Sequence, residues 1–187
     1  GSFDSDFVGY IKDFITPEIK AKLLEFFADN NLTLMFEVVH PQDPHIIEYS
    51  PTDHGLYLIG ARGKNENDHI FTEDKLDQLA EKLNFKRPKW SLMEFSEVLN
   101  KLRQEKVEGY MVRKVSLSQE TILKAKTNYY LVTKFIGRMN AGNIKLMYHN
   151  SQKFKEKVEE EFYPLIDYLT KNYTLEVFSN MTNEDKI

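Results

Sequence analysis

Two short stretches of the chain carry charged side chains at spacings that suggest chemistry. In residues 108–113, E-G-Y-M-V-R, Glu108 lies next to a glycine at the start of a predicted strand. K-A-K-T-N-Y-Y follows at residues 124–130, where one residue separates Lys124 from Lys126. Side chains alternate between the two faces of a strand, so both lysines should point the same way. Two ammonium groups on one face need an anion between them, and a carboxylate needs a cation or a donor. A phosphate bound with a divalent metal would satisfy both.

From local sequence alone, each of these residues also has an explanation that needs no ligand. Glu108 suits a solvated loop, and the two lysines suit an exposed strand face, where a salt bridge to Glu108 would add little stability. Glu37 stands in the apolar run F-E-V-V, where a carboxylate is costly to bury without a partner. Its simpler explanation is an outward-facing glutamate on a half-exposed strand.

Two further clusters contain residue types that bind ligands in other settings. Residues 85–90, F-K-R-P-K-W, mix basic and aromatic side chains as single-strand binding surfaces do. The stretch is short and contains Pro88, which favours an ordinary loop. The histidines lack the tight spacing typical of zinc ligands, which argues against a zinc site; they are His40, His45, His54, His69 and His149.

The composition is that of a folded protein. Of 187 residues, 41% are hydrophobic and 13% aromatic, which argues against disorder. The net charge of −4 excludes a coat of positive charge for non-specific nucleic-acid binding, but it is compatible with a local basic face. The absence of cysteine excludes disulfides, thiolate metal sites and a cysteine nucleophile, and it fits a cytoplasmic location. No apolar run approaches the roughly 18 residues of a membrane span, so no membrane partner is expected.

Helical and strand patterns alternate along the first half of the chain. A helix is predicted at residues 13–30, where Thr16 suits the N-cap and Pro17 the first helical position. A second helix is predicted at residues 73–83. The intervening apolar runs are linked by Pro, Asp and Gly, as in antiparallel hairpins, and predict strands at residues 32–40, 46–49 and 56–62.

The second half of the chain is predicted to become helical. Ser91 with Glu94 has the pattern of a capping box that begins a helix. Strands follow at residues 108–115 and 123–126. Beyond Tyr130 the chain is predicted to be helical to its end, and Pro164 should kink or split a long amphipathic stretch at residues 151–172. The fold class predicted from these patterns is α+β.

Taken in order, the motifs resemble those of a known family. The four stretches are F-E-V-V-H-P-Q-D-P-H-I-I-E-Y, L-Y-L-I-G-A-R, E-G-Y-M-V-R and K-A-K-T-N-Y-Y. They are similar to the later motifs of the covalent nucleotidyltransferases. Most of all they resemble the ATP-dependent RNA ligases of the phage tRNA-repair type, RNA ligase family 1. The resemblance covers roughly residues 32–130, and its ordered spacing is more specific than any single motif.

The resemblance implies a role for each of the four charged residues. Glu37 matches the strand glutamate of the nucleotide pocket, and Glu108 matches the glutamate associated with the divalent metal. Lys124 and Lys126 match the lysines that contact the ATP phosphates. The implied cofactors are therefore ATP and Mg²⁺, and the implied partner is RNA, with tRNA as one candidate.

Two departures from the family pattern affect what the resemblance implies. Asp43-Pro44 replaces an Asn-Arg-like pair after the F-E-x-x motif. The nucleophilic K-x-D/E-G motif belongs before that strand, and residues 1–31 contain none. We therefore expect the chain to be the C-terminal portion of a ligase, whose upstream segment carries the nucleophile. Lys106-Val-Glu-Gly has the form of that motif, but only 81 residues, mostly of predicted helix, follow Lys106. The strands that could build a nucleotide pocket lie largely before Lys106, so Lys106 is not expected to be the nucleophile.

The resemblance also implies the architecture. Residues 1–130 would form part of a nucleotidyltransferase (adenylation) domain with an antiparallel, ATP-grasp-like ligase core, and residues 131–187 a helical C-terminal extension. That extension carries basic residues that could face RNA, although a run of glutamates at residues 156–161 also suits a plain solvated surface. The basic residues are Lys134, Arg138, Lys145, Lys153, Lys155 and Lys157.

The function implied is ATP-dependent sealing of RNA 3′-hydroxyl and 5′-phosphate ends through lysyl-AMP and adenylylated-RNA intermediates, in RNA repair. Without the upstream nucleophile, this chain alone is predicted to be inactive in self-adenylylation. The alternatives are a non-catalytic nucleotidyltransferase-like module that binds nucleotide or RNA, and an unrelated α+β interaction domain in which Glu108 and the lysines only pair at the surface.

Overall fold

The computed structural model describes residues 5–43, 45–65, 70–114 and 121–187. The chain divides into two compact units, residues 1–92 and 93–187. Three positions named above lie outside the described residues. They are Pro44 of the Asp43-Pro44 pair, His69, and Val115 at the end of a predicted strand.

The first unit begins with two helices. α1 (Asp6–Phe14) is not among the predicted elements, whereas α2 (Pro17–Asp29) begins as predicted. The Thr16 hydroxyl accepts a hydrogen bond of 3.2 Å from the Ile19 amide, so it caps the helix N-terminus. α3 (Glu73–Leu83) also matches its prediction, and it ends at Asn84 in the left-handed conformation.

The first sheet has two antiparallel strands, β1 (Leu32–Val39) and β2 (Gly55–Gly63). Both were predicted, but the predicted strand at residues 46–49 is wrong, because that segment has no strand structure. Local turn chemistry explains the difference. Ser50 donates a 2.7 Å hydrogen bond to the Asp53 carboxylate and closes a 3₁₀ turn there. The other side of β2 is taken by Lys86, whose carbonyl accepts from the Leu58 amide at 2.9 Å.

The core of the first unit lies between this sheet and the helices. Leu32, Leu34 and Phe36 pack against it from β1. Glu37, whose side chain points to the opposite face of the strand, is exposed. The buried residues of this core are Phe26, Leu58, Ala61, Leu76, Leu79, Ala80 and Leu83.

The second unit opens with α4 (Phe95–Gln104), followed by the antiparallel pair β3 (Gly109–Lys114) and β4 (Thr121–Lys126). The prediction of a capping box at Ser91 and Glu94 is wrong by about one helical turn. Glu94 itself is the N-cap, and its partner in the capping box is Glu97. The helix therefore begins later than the Ser-x-x-Glu pattern indicates, since the same reciprocal bonds form one turn further along the chain.

Beyond β4 the chain is helical, as predicted. The long stretch at residues 151–172 is interrupted between Lys155 and Glu160, and Pro164 lies in the first turn of the following helix, where its missing N–H costs little. The helices are α5 (Asn128–Gly137), α6 (Ala141–His149), α7 (Ser151–Lys155), α8 (Tyr163–Asn172), α9 (Leu175–Asn180) and α10 (Asn183–Lys186). The buried residues of their core are Phe135, Ile136, Met147, Phe154, Phe162, Ile166, Leu169 and Phe178.

The mixture of helices with two small antiparallel sheets is that of an α+β protein. The nucleotidyltransferase core and the domain division after residue 130 remain predictions; residue 130 falls inside the second compact unit. Within the described ranges, no helix has the length and apolar character needed to cross a bilayer.

Candidate functional site

The register of the second sheet places the two motif lysines on one face. Gly109 lies opposite Lys126, and Met111 lies opposite Lys124. Lys124 is exposed and has no carboxylate partner in the part of the chain that the structure describes. Lys126 is largely covered, with 16% of its side chain exposed. The same-face arrangement that period-2 alternation predicts is therefore present, but the two lysines have different surroundings.

Glu108 and Lys126 form an ion pair. Lys126 Nζ donates a hydrogen bond to Glu108 Oε1, and 38% of the Glu108 side chain is exposed. A partly covered pair is less screened by solvent than two charges at the surface. This position therefore presents a carboxylate that remains open to solvent beside an ammonium group that is mostly enclosed.

Tyr130 completes the surroundings of Lys126. The Lys126 ammonium nitrogen lies 4.4 Å from the centroid of the Tyr130 ring, within the range of a cation–π interaction. Tyr130 is in the first turn of α5, which begins two residues after β4 ends. The ring therefore holds the ammonium by an attraction that does not use the Glu108 carboxylate.

Thr127 ties the two motifs together and is fully buried, with 0% exposure. Its hydroxyl donates to the Val107 carbonyl at 2.5 Å and accepts from the Tyr130 amide at 3.1 Å, which caps α5. Its own amide donates to the Glu108 carbonyl at 3.2 Å. Neither Thr127 nor Tyr130 is among the site residues predicted from the sequence. A threonine between a strand and a helical pattern is the N-cap signal that could have found the first of them.

Gly109 is required by the close approach of β3 and β4. Its φ is +154°, and a Cβ at this position would overlap the Ala125 carbonyl oxygen and lie 2.9 Å from the Lys126 Cα. A side chain at residue 109 would therefore push Glu108 away from Lys126 and Thr127. This gives the glycine of E-G-Y-M-V-R a structural reason.

Tyr110 anchors β3 on the side away from the lysines. Its hydroxyl donates a hydrogen bond to Glu105, which also pairs with Lys101 at 2.6 Å. Burial, together with the hydrogen bond to the Glu105 carboxylate, raises the pKa of Tyr110 to about 12. The hydrogen bonds from Lys101 and Tyr110 lower the pKa of Glu105. Tyr110 therefore stays neutral and continues to donate far into the alkaline range.

Glu37 lies in the first unit, on the outer face of β1. Its strand partner is Tyr57, whose hydroxyl donates to the Asp53 carbonyl at 2.8 Å. Glu37 is exposed and has no charged partner among the described residues. This geometry fits the simpler explanation of an outward-facing strand glutamate, and it leaves the carboxylate accessible to a ligand.

The basic residues of the helical tail fall into two groups. Lys134 pairs with Glu161 at 2.8 Å, and Arg138 pairs with Glu159 at 2.7 Å. Burial favours the neutral amine of Lys134, but the hydrogen bond and charge of Glu161 outweigh it and raise the pKa of Lys134. Lys155 pairs with Asp167. The remaining three are exposed and unpaired as far as the structure describes the chain; these are Lys145, Lys153 and Lys157.

The first two basic residues of F-K-R-P-K-W have structural partners. Lys86 Nζ donates to the Thr52 and His54 carbonyls, both at 2.7 Å. Arg87 donates to the Leu58 carbonyl at 2.5 Å and pairs with Glu73 and with Asp77. These two residues bind the loop to the rest of the first unit, as an ordinary loop requires, whereas the last two positions of the stretch are exposed.

Glu108 is the position at which a magnesium ion can be considered. No group of three or more histidine, aspartate or glutamate side chains among residues 5–43, 45–65, 70–114 and 121–187 is arranged to hold a metal. Magnesium bound together with a nucleotide needs only one or two carboxylates, since phosphate oxygens and waters fill the other positions. The open carboxylate of Glu108, next to Lys126 and on the strand pair that also carries Lys124, fits that requirement.

Lys106 lies in the loop before β3 and is exposed, with its ammonium nitrogen 5.4 Å from the Tyr129 ring centroid. It is not part of the contacts that join Glu108, Lys126, Thr127 and Tyr130.

Comparison of the sequence with protein-family models identifies the family of this chain. The family model described as RNA ligase matches residues 13–163, which is well over half of the chain. The chain belongs to the RNA ligase family, and so to a class of ligase enzymes that act on RNA. A search of curated proteins returns no match.

Proposed function

We propose that the chain is part of an ATP-dependent RNA ligase that joins 3′-hydroxyl and 5′-phosphate RNA ends through lysyl-AMP and adenylylated-RNA intermediates. The setting would be RNA repair, including tRNA repair, in the cytoplasm. The observation that carries the proposal is the Glu108–Lys126 pair, whose ammonium group lies against the Tyr130 ring, within a chain of the RNA ligase family.

Each motif residue has a proposed role in this reaction. Lys126 and Lys124 would bind the ATP phosphates, and Glu108 would hold Mg²⁺. When bound, the metal would stabilise the negative charge that spreads over phosphate oxygens as pyrophosphate leaves. Lys126 and Glu108 are neutralised by each other until both are offered new partners of opposite charge, and the Tyr130 ring holds the ammonium in place during the exchange. Glu37, exposed on β1, would contact the nucleotide.

The nucleophile of the first step is proposed to lie upstream. A lysine attacks the α-phosphate only as a neutral amine, and neighbouring cations lower its pKa. In the family's motif order it precedes the F-E-V-V strand, and residues 1–31 contain no K-x-D/E-G motif. The upstream segment of the same protein would supply it.

Intact mass spectrometry after incubation with ATP and Mg²⁺ tests this assignment. The chain as given should gain no AMP, whereas the protein extended upstream through its natural coding sequence should gain one. An adduct on residues 1–187 would make Lys106 the first residue to map and would overturn the assignment of E-G-Y-M-V-R. An extended protein that carries the motif but gains no AMP would exclude the ligase and favour a non-catalytic binding module.

In the extended protein, Lys126→Ala should abolish AMP transfer while the melting temperature remains close to that of the wild type. Lys145→Ala is the matched control, since Lys145 is an exposed lysine on α6 outside the site. Wild-type activity in Lys126→Ala would show that Lys124 and Lys126 are surface residues that take no part in AMP transfer.

A further inference from the structure

Trp90 is the only tryptophan of the chain, and its ring is both exposed and fixed. Its accessibility is 42%, which is high for a side chain of this size. Its indole Nε1–H donates a 2.8 Å hydrogen bond to Asp77 Oδ2. An exposed aromatic ring held by its polar edge keeps its orientation, so a ligand that stacks on it orders little further.

The group that holds the indole is itself firmly held. Asp77 Oδ1 accepts from Arg87 Nε at 2.9 Å, and Arg87, only 12% exposed, also bonds the Leu58 carbonyl and Glu73. The hydrogen bonds from Trp90 and Arg87 lower the pKa of Asp77, so its carboxylate remains ionised and accepting. A continuous chain of contacts thus links the exposed indole to β2 and α3.

An open cavity of about 570 Å³ lies beside the indole. Phe85, Pro88 and Trp90 give it apolar walls. Its charged lining consists of Asp77 and Arg87, which pair with each other, and of Lys89 and Glu81. The depression is open to solvent on one side, as a surface on which a base stacks requires. Lys89 and Glu81 are exposed and have no ion-pair partner in the described part of the chain.

We infer that Trp90 and Lys89 form a binding site for one nucleotide of single-stranded RNA, with the base stacked on the indole and a phosphate at Lys89. Stacking suits any base, because every base has a π face, and an adjacent cation follows the backbone. The Glu81 carboxylate repels phosphate and so directs the backbone towards the Lys89 side of the cavity. The choice of RNA as ligand rests on the proposed function.

Tryptophan fluorescence tests the site directly, since Trp90 is the only source of indole emission in the chain. A six-nucleotide single-stranded RNA without a 5′-phosphate is titrated into the chain in the absence of ATP and Mg²⁺. We expect saturable quenching, with an affinity that falls as salt rises. The absence of quenching, or quenching that does not saturate, would overturn the inference.

Variants are compared by the anisotropy of the same oligonucleotide carrying a fluorescent label. Trp90→Ala should weaken binding roughly tenfold to a hundredfold, the usual effect of removing a stacked aromatic residue. Trp90→Phe keeps an aromatic ring but loses the bond to Asp77, so it should retain part of the affinity and bind more tightly than Trp90→Ala. Lys89→Ala should weaken binding and reduce its salt dependence. Tyr168→Ala, which removes another exposed aromatic ring, should have no effect.

Wild-type affinity in both Trp90→Ala and Lys89→Ala would overturn the proposed site. Lys89→Ala also controls for a folding defect, because Lys89 takes no part in the Asp77–Arg87 contacts. The result is separate from AMP transfer, which needs ATP and Mg²⁺. A protein that forms the AMP adduct but does not bind RNA at Trp90 would refute the inference alone. Binding at Trp90 without an adduct in the extended protein would refute the ligase alone.

Discussion

Thr127 joins the two motifs of the candidate site through a single buried hydroxyl. Thr127→Val keeps the shape but leaves the Val107 carbonyl and the Tyr130 amide without their partner. We expect the free energy of unfolding to fall by about 2 kcal/mol, since a lost N-cap and a buried orphaned carbonyl each cost on the order of 1 kcal/mol or more. Urea unfolding measures this change. Thr127→Ser should stay close to the wild type, and so should Thr170→Val, whose hydroxyl only bonds back within its helix. Equal losses in all three variants would contradict the role of Thr127.

Tyr110 should give the protein a pH dependence on the alkaline side. Its pKa is about 12 in the folded chain and about 10 when unfolded, so the folded state holds this proton more tightly. The resulting stabilisation is complete below about pH 10 and is lost as the pH rises towards 12. Urea midpoints measured between about pH 9 and pH 11 should therefore decline less in Tyr110→Phe than in the wild type. Tyr168→Phe, an exposed control, should follow the wild type; if Tyr110→Phe did so too, the Tyr110–Glu105 bond would not be the cause.

The β3–β4 hairpin depends on one glycine. Gly109→Ala would place a methyl group against the Ala125 carbonyl at a φ of +154°, and we expect a loss of more than about 2 kcal/mol of stability. Gly137→Ala is the matched control, because a Cβ there meets nothing within 4 Å and the residue is helical. That variant should be neutral or slightly stabilising. Circular dichroism melts of the two variants measure the difference, and similar melting temperatures would show that the hairpin tolerates a side chain at residue 109.

Elements with a local signal were predictable from the sequence. The Thr16-Pro17 start of α2, the apolar runs of β1 and β2 and the same-face placement of Lys124 and Lys126 all follow from composition and spacing within a few residues. Elements that depend on distant partners were not. Residues 46–49 have strand-like composition, but the Ser50–Asp53 turn follows them and Lys86 occupies one side of β2. The position of the Tyr130 ring under Lys126 likewise depends on the direction that α5 takes after the Thr127 cap.

At the scale of the whole molecule, each compact unit has a hydrophobic core of its own. Glu37 belongs to the first unit, and Glu108, Lys124 and Lys126 belong to the second. The RNA ligase match runs through both units and extends to residue 163, well into the helices that follow β4. The family pattern therefore includes α5–α7 as well as the motif strands, and a test of nucleotide binding needs the intact chain.

Nucleotide binding by the intact chain can be measured without catalysis, because a ligand that binds only the folded state stabilises it by mass action. At a nucleotide concentration of about 100 Kd the stabilisation is about 2.7 kcal/mol, which should raise the melting temperature by several degrees. We expect ATP with Mg²⁺ to produce this shift in the wild type and in Lys145→Ala, and Lys126→Ala to lose most of it, because the phosphates lose their enclosed cation. Glu37→Ala tests the proposed nucleotide contact in the first unit in the same way. Omitting Mg²⁺ should weaken the shift in the wild type, and it should have less effect in Glu108→Gln. A wild-type chain whose melting temperature ignores ATP and Mg²⁺ would favour an interaction domain in which Glu108 and Lys126 pair only with each other.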